Sequence, residues 1–249
     1  MHLTWMTVNA IPAFMSRLES KPPSLAVTRL KSVACRLFAE RGVDGVTVRQ
    51  IAEAAGQKNH AAVGYHFGSK EALIRELVID GAGAIDVVRN QWLDALEAKG
   101  GPENVREVIE GLIRTSTHTD GISGLESYNR FVVMLAMTHR RFFMDALGGR
   151  WNSGYLRCLD HLRRLMPLMP TALKNQRLIF MGASLGSVLA AREAELSDQS
   201  RDHPTWGADA TLNHFALTLT AMLEATPEHG DAPPGKGPAL RVYGHIAVS

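Results

Sequence analysis

At 249 residues, with 45% hydrophobic and 21% charged side chains, the chain has the composition of a globular protein of one large domain or two small ones, which excludes wholesale disorder. A formal net charge of +2 excludes a protein that coats nucleic acid indiscriminately. The charge is uneven, however: residues 24–75 carry eight Lys/Arg against four Asp/Glu, so a local +4 leaves −2 for the rest of the chain. A basic N-terminal module on a mildly acidic body fits a DNA reader joined to something else. No apolar run approaches the roughly 20 residues of a membrane span. The first 18 residues lack the basic start of a signal peptide, so no membrane partner and a cytoplasmic location are expected. Cys35 and Cys158 lie far apart, without metal-ligand spacing, and read as reduced, mostly buried thiols. The ten histidines show no ligand spacing either, and no metal or cofactor is expected.

Residues 1–23 read as an N-terminal arm, either disordered or preceding a true initiator at Met6 or Met15; Lys21-Pro22-Pro23-Ser24 is the break that closes it. Apolar residues then recur at Leu30, Val33, Ala34, Leu37 and Phe38, a helical stripe ending near Arg41 with Gly42 as its left-handed cap. Thr47 with Gln50 forms a capping box and Val46 with Ile51 the hydrophobic staple around it, so a short helix starts at Thr47 and stops before Gly56. A second short segment runs from Asn59 to Phe67. Ser69 then caps a long helix continuing towards Leu96, in which Gly81 and Gly83 predict bending or close packing. Gly100-Gly101 punctuates the chain, with Pro102 as the first residue of the next helix. Further helices are expected at about 103–117, 125–138, 142–165, 171–196 and 208–225, with a break at Pro167–Pro170. The Pro/Gly-rich tail, 227–249, reads as loop or disordered, and no convincing strand or repeat is present.

Two short helices separated by a glycine turn and supported by an amphipathic first helix make a helix-turn-helix unit. The second helix must enter the major groove. Gln57, Lys58, Asn59 and His60 are the hydrogen-bonding residues at its leading end, suited to adenine edges, guanine acceptors or phosphate. The stretch from Phe38 to Ile74 carries Phe38, Gly42, Thr47, Ile51, Ala52, Ala55, Gly56, His66, Phe67, Ser69, Lys70, Glu71 and Leu73 at spacings that resemble the N-terminal signature of TetR-type transcriptional regulators. The segment from Gly56 to His66 is one residue longer than the common pattern. Gly64 stands where relatives carry a phosphate-touching Tyr, with Tyr65 following it. The resemblance implies phosphate or base contacts from Thr47 and Arg49, a phosphate contact from Lys70, and a structural or backbone contact from His66.

The resemblance further implies an all-α chain: a three-helix DNA-binding domain at 24–75, then a helical ligand-binding and dimerisation domain at 76–226. Met134, Met137, Phe142, Phe143, Trp151 and Tyr155 form a Met- and aromatic-rich zone that could line a lipophilic pocket or simply be core. Gly182, Gly186 and Ala190 make a small-residue stripe. Leu212, Phe215, Leu219 and Met222 form an apolar one, and the pair suits a two-fold four-helix interface or packing within one subunit. Gly182-Ala183-Ser184-Leu185-Gly186 also matches the nucleophile elbow of hydrolases, but in a helical context. The expected protein is therefore a homodimeric repressor, not an enzyme, released from double-stranded palindromic operator DNA by a small-molecule effector. The alternatives are an activator and a DNA-binding head that acts through a partner protein.

Overall fold

The computed structural model describes residues 24–121, 125–227, 241–242 and 246–247. The readings of an N-terminal arm and of most of the tail lie outside these residues. Ten α-helices make the fold all-α: α1 (Leu25–Arg41), α2 (Val48–Ala54), α3 (Ala62–Phe67), α4 (Lys70–Glu97), α5 (Val105–Ser116), α6 (Tyr128–Thr138), α7 (Arg140–Leu147), α8 (Ser153–Leu165), α9 (Thr171–Leu196) and α10 (Asp209–Glu224). One feature of the tail departs from expectation. Arg241–Val242 (β1) and Ile246–Ala247 (β2) form a two-residue antiparallel ladder, pairing Arg241 with Ala247 and Val242 with Ile246.

Local signals set most helix ends. Ser24 Oγ accepts from the Val27 amide at the start of α1, and Gly42, at φ +71, ends the helix. At α2 the capping box is complete: the Gln50 amide donates to Thr47 Oγ1 at 3.2 Å and the Thr47 amide to Gln50 Oε1 at 2.8 Å. Val46 and Ile51 are fully buried beside it. Ser69 caps α4. Two boundaries differ from the sequence reading. Pro102 lies outside α5, because Asn104 accepts from the Glu107 amide and Glu107 reaches back to the Glu103 amide, fixing the start at Val105. The helix expected over 142–165 is two helices, since Gly148 and Gly149 both take positive φ and turn the chain between α7 and α8.

Two helices borrow their caps from elsewhere in the fold. Asp86 of α4 accepts from Ser153 Oγ and the Gly154 amide, both at 2.8 Å, and so holds the start of α8. Glu193 of α9 accepts from the amides of Asn129 and Arg130 at 3.0 and 2.7 Å, and so holds the start of α6. Both carboxylates are buried, where the first-turn amides and the positive end of the helix offset the cost of removing a charge from water.

The apolar core has two clusters. One contains α10 together with parts of α5, α8 and α9. The other begins in the first three helices and runs without interruption into α6 and α7, with Phe38 of α1 stacked on Phe131 of α6 at 6.0 Å. The N-terminal helices therefore share their core with the body. Lys31 adds polar ties to α4, 2.9 Å from Glu76 and 2.7 Å from Asp80.

Close approach explains the glycines of α4. A Cβ at Gly81 would overlap the ring of Tyr128, which is buried and donates to the Val78 carbonyl at 2.9 Å. At Gly83 a Cβ would meet the Trp151 ring at 3.4 Å, an ordinary contact. Gly81→Ala should therefore lower unfolding free energy by about 1–3 kcal/mol through overpacking, against the normal helix preference for Ala. Gly83→Ala should be neutral or stabilising. Urea denaturation of both variants checks this, and equal effects would show that the Tyr128 contact does not matter.

Candidate functional site

The N-terminal surface is built from α2, the turn after it and α3. The turn is closed by the Gln57 amide donating to the Ala52 carbonyl at 2.9 Å, with Gly56 at φ +69. Gln57, Lys58, Asn59 and His60 stand in this turn and not on a helix, which corrects the reading that they lead the second helix. The cause is local: Asn59 Oδ1 accepts from the Ala61 amide at 2.9 Å, forming an Asx turn that delays the helix to Ala62. The short α3 buries Ala62, Val63 and Phe67 and exposes Gly64, Tyr65 and His66. Tyr65 is 82% exposed and packs edge-on against His66, with ring centroids 4.9 Å apart. Thr47, Lys58, Asn59 and His60 are exposed as well.

Two basic residues behave differently. Arg49 is exposed and donates to Glu53 Oε1 at 2.7 Å, one turn along α2. That hydrogen bond holds the Glu53 carboxyl below its usual value and raises Arg49. An exposed pair of this kind contributes little to stability, so its arginine can be redirected to a phosphate at low cost. Lys70 is turned inward: its Nζ donates to the carbonyls of Val43 and Val46 at 2.8 and 3.0 Å. Two of its three donors thus tie α4 to the loop between α1 and α2, where the sequence suggested a phosphate contact.

The second feature is a cavity of about 300 Å³ enclosed by α4, α6, α8 and α9. Met137, Phe143, Trp151 and Tyr155 line it, as the sequence suggested. Met134 and Phe142 do not. Met134 approaches Gly42 beside the N-terminal helices, and Phe142 lies under the Arg75 guanidinium, 5.0 Å from its ring centroid. Gly182 and Gly186 also face the cavity, and a Cβ at Gly186 would meet Val133 of α6 at 3.2 Å. This placement fits the alternative of packing within one subunit. Leu219 is buried in the chain's own core, and Leu212, Phe215 and Met222 pack partly buried against it. Ala190 is half-buried. The large apolar side chains exposed on the mutually packed α9 and α10 are Phe180 and Leu217. Ser184 lies mid-helix in α9, not on the strand-to-helix turn a nucleophile elbow requires.

The buried polar residues around this cavity do not stand out in the sequence. Arg89 is 4% exposed. Its Nε donates to Thr115 Oγ1 at 2.9 Å and its Nη2 to Ser116 Oγ at 2.8 Å, and its guanidinium lies 5.7 Å from the Tyr155 ring centroid. Burial pushes the guanidinium below its usual value. The available signal was its register: Ile85, Arg89 and Leu93 recur four apart on the buried face of α4, as Leu185, Leu189 and Glu193 do on α9. Cys158 lies fully buried near Arg89, and burial pushes its thiol up to about 12.

These placements separate two basic residues experimentally. Lys70→Met should lower the stability of the fold by about 1–3 kcal/mol, because two buried carbonyls lose a charged donor. Arg49→Ala should leave thermal melting unchanged. A destabilised Arg49→Ala, or an unaffected Lys70→Met, would reverse these roles.

Comparison with known proteins agrees with the helix-turn-helix geometry. The family model for bacterial regulatory proteins of the tetR family matches residues 31–77, which covers α2, α3 and most of α1. The HTH-type transcriptional repressor KstR2 of Rhodococcus jostii is 36% identical over 89 residues, 36% of this chain and 40% of that repressor. KstR2 of Mycobacterium tuberculosis is 28% identical over 142 residues, 51% of this chain and 68% of that one. The solved structure of the fatty acid degradation regulator FadR from Bacillus halodurans is 17% identical, with a TM-score of 0.51, covering 84% of this chain and 100% of FadR. At that identity the likeness is one of fold. Residues 31–77 thus form a helix-turn-helix domain of the tetR family of bacterial regulatory proteins, and the all-helical body that carries it has the fold of such regulators.

Proposed function

We propose that this regulator is a repressor that binds a palindromic operator as a homodimer and is released when a small molecule enters the cavity of the larger helical region. The observation that carries the reading is the double use of α6. Val132, Val133 and Ala136 on this helix line the cavity, while Phe131 stacks on Phe38 of the DNA-binding head. A ligand that changes the seat of α6 therefore acts on the support of the head. Its effect is bounded by its differential affinity for the DNA-bound and released states. The cavity favours this reading over a head that acts only through a partner protein, for which a solid body would suffice.

Tyr65, Arg49 and the turn residues Lys58 and Asn59 are the DNA contacts of this reading, and Thr47, Gln57, His60 and His66 flank them. Reading two half-sites about one helical turn apart requires two heads. The inferred subunit interface is the outer face of α9 and α10, where Phe180 and Leu217 leave apolar surface in solvent. No helix among the described residues is long and apolar enough to cross a membrane.

A genomic footprint supplies the operator, and binding to it in a gel shift tests the assignments. Tyr65→Ala and Arg49→Ala should each weaken binding, and Arg49→Ala should also flatten its dependence on salt. Ala183→Leu, which fills the cavity, should keep operator binding yet resist release by any effector. Operator binding at one chain per site, or untouched by both head substitutions, would contradict the proposal.

A further inference from the structure

The chemistry of the cavity narrows what can occupy it. Its walls are mainly apolar, and Arg89 is the one Lys, Arg, Asp or Glu among the lining residues. A buried guanidinium normally faces a carboxylate, because an uncompensated charge in a low-dielectric interior is costly. Here its hydrogen-bond partners are two neutral hydroxyls, Thr115 Oγ1 and Ser116 Oγ. The nearest acid in sequence, Asp86, spends both carboxylate oxygens on the start of α8. Asp86 therefore acts on Arg89 only through space: among the described residues no carboxylate lies within ion-pair distance of the guanidinium, and its Nη1 has no hydrogen-bond acceptor. A second donor in the same lining, the buried Trp151 Nε1, also has no partner. A guanidinium with a free edge and the buried, unpartnered Trp151 Nε1 thus belong to one apolar cavity.

We propose that the cavity binds a small amphipathic carboxylate, its acid group on Arg89 and its hydrocarbon or aryl part against Val132, Ala136, Phe143 and Leu185. The class follows from counting charge and donors. Asp86 already acts on Arg89 through space, so a monoanion is the most charge this single guanidinium can take up, and a doubly charged phosphate ester would leave buried negative charge without a partner. The unused edge of the guanidinium presents parallel N–H groups, which match the two oxygens of a carboxylate. Trp151 Nε1 supplies a further donor to a polar atom of the ligand. A cavity of about 300 Å³ stands at the lower end of small-molecule sites, so the occupant is compact. Met137, exposed and at the same time part of the lining, marks the rim by which it enters. This inference rests on the reading of the cavity as the effector site.

The test compares acids with neutral isosteres on the full chain. Straight-chain carboxylates from butanoate to decanoate, and phenylacetate, 4-phenylbutanoate and naphthalene-2-carboxylate, are titrated calorimetrically beside their primary amides. At least one acid should bind about tenfold or more tightly than its amide, as the loss of charge-assisted hydrogen bonds in a buried site requires. Arg89→Gln should abolish that preference while leaving amide binding in place. If Arg89→Gln does not fold, Arg89→Lys should retain part of the preference, and Trp151→Phe should weaken the acid while preserving the fold. Amides that bind as tightly as acids and release the operator would overturn the carboxylate assignment while keeping the effector site. An acid preference that survives in Arg89→Gln would overturn it too. Failure of every acid and every amide to bind would overturn both.

Discussion

The structure depends on the seating of α6. This helix is gripped on three sides: Phe131 stacks on Phe38, Val132 and Ala136 wall the cavity, and the Glu193 carboxylate holds its first two free amides. Interiors packed at crystal-like density do not deform smoothly, so a helix held this way moves as a unit or not at all. The DNA-binding head, which shares its apolar cluster with α6, has no separate core with which to ignore such a movement. In the proposed function, that constraint is what lets a small cavity in the body act as a lever on the head.

The polar groups around α6 serve the same end by different means. Asp86 and Glu193 are buried acids that act as helix caps, each reaching from one long helix to the start of a shorter one. They fix α8 and α6 against α4 and α9, and so fix the cavity walls. Lys70 plays the matching part in the head by holding the loop between α1 and α2 to the long helix α4. Arg89 is the exception. It is tied to α5 by two hydroxyls, yet its charge has no direct counterion among the described residues. Asp86 and Glu193 direct both carboxylate oxygens to helix starts, whereas Arg89 keeps one edge free and lines the cavity.

What the sequence revealed follows from the range of the interactions involved. The capping box at Thr47, the glycine ends at Gly42 and Gly56 and the cap at Ser69 are contacts within four residues, and each was legible. The start of α3 was not, because an Asx turn at Asn59 and a helical first turn leave the same pattern of polar residues. Four of six suggested lining residues do line the cavity. Met134 and Phe142 share their helices and chemistry, but helical phase sends them towards Gly42 and Arg75. The partners of Lys70, Asp86, Arg89 and Glu193 lie 24 to 68 residues away, beyond any local pattern. Only their positions on otherwise apolar stripes hinted that they were buried.

Linkage requires that coupling between head and cavity run both ways, so operator binding must be felt at the cavity wall without any effector. Among the described residues, Trp151 is the one tryptophan that lines the cavity. The most direct measurement is the ¹⁹F spectrum of the 5-fluorotryptophan-labelled protein, with the Trp151 resonance assigned through Trp151→Phe and recorded with and without operator DNA. The account predicts that operator binding shifts the Trp151 resonance, and that Phe131→Leu, which loosens the stack on Phe38, diminishes the shift. A Trp151 resonance that operator DNA leaves unmoved in the unaltered protein would contradict it.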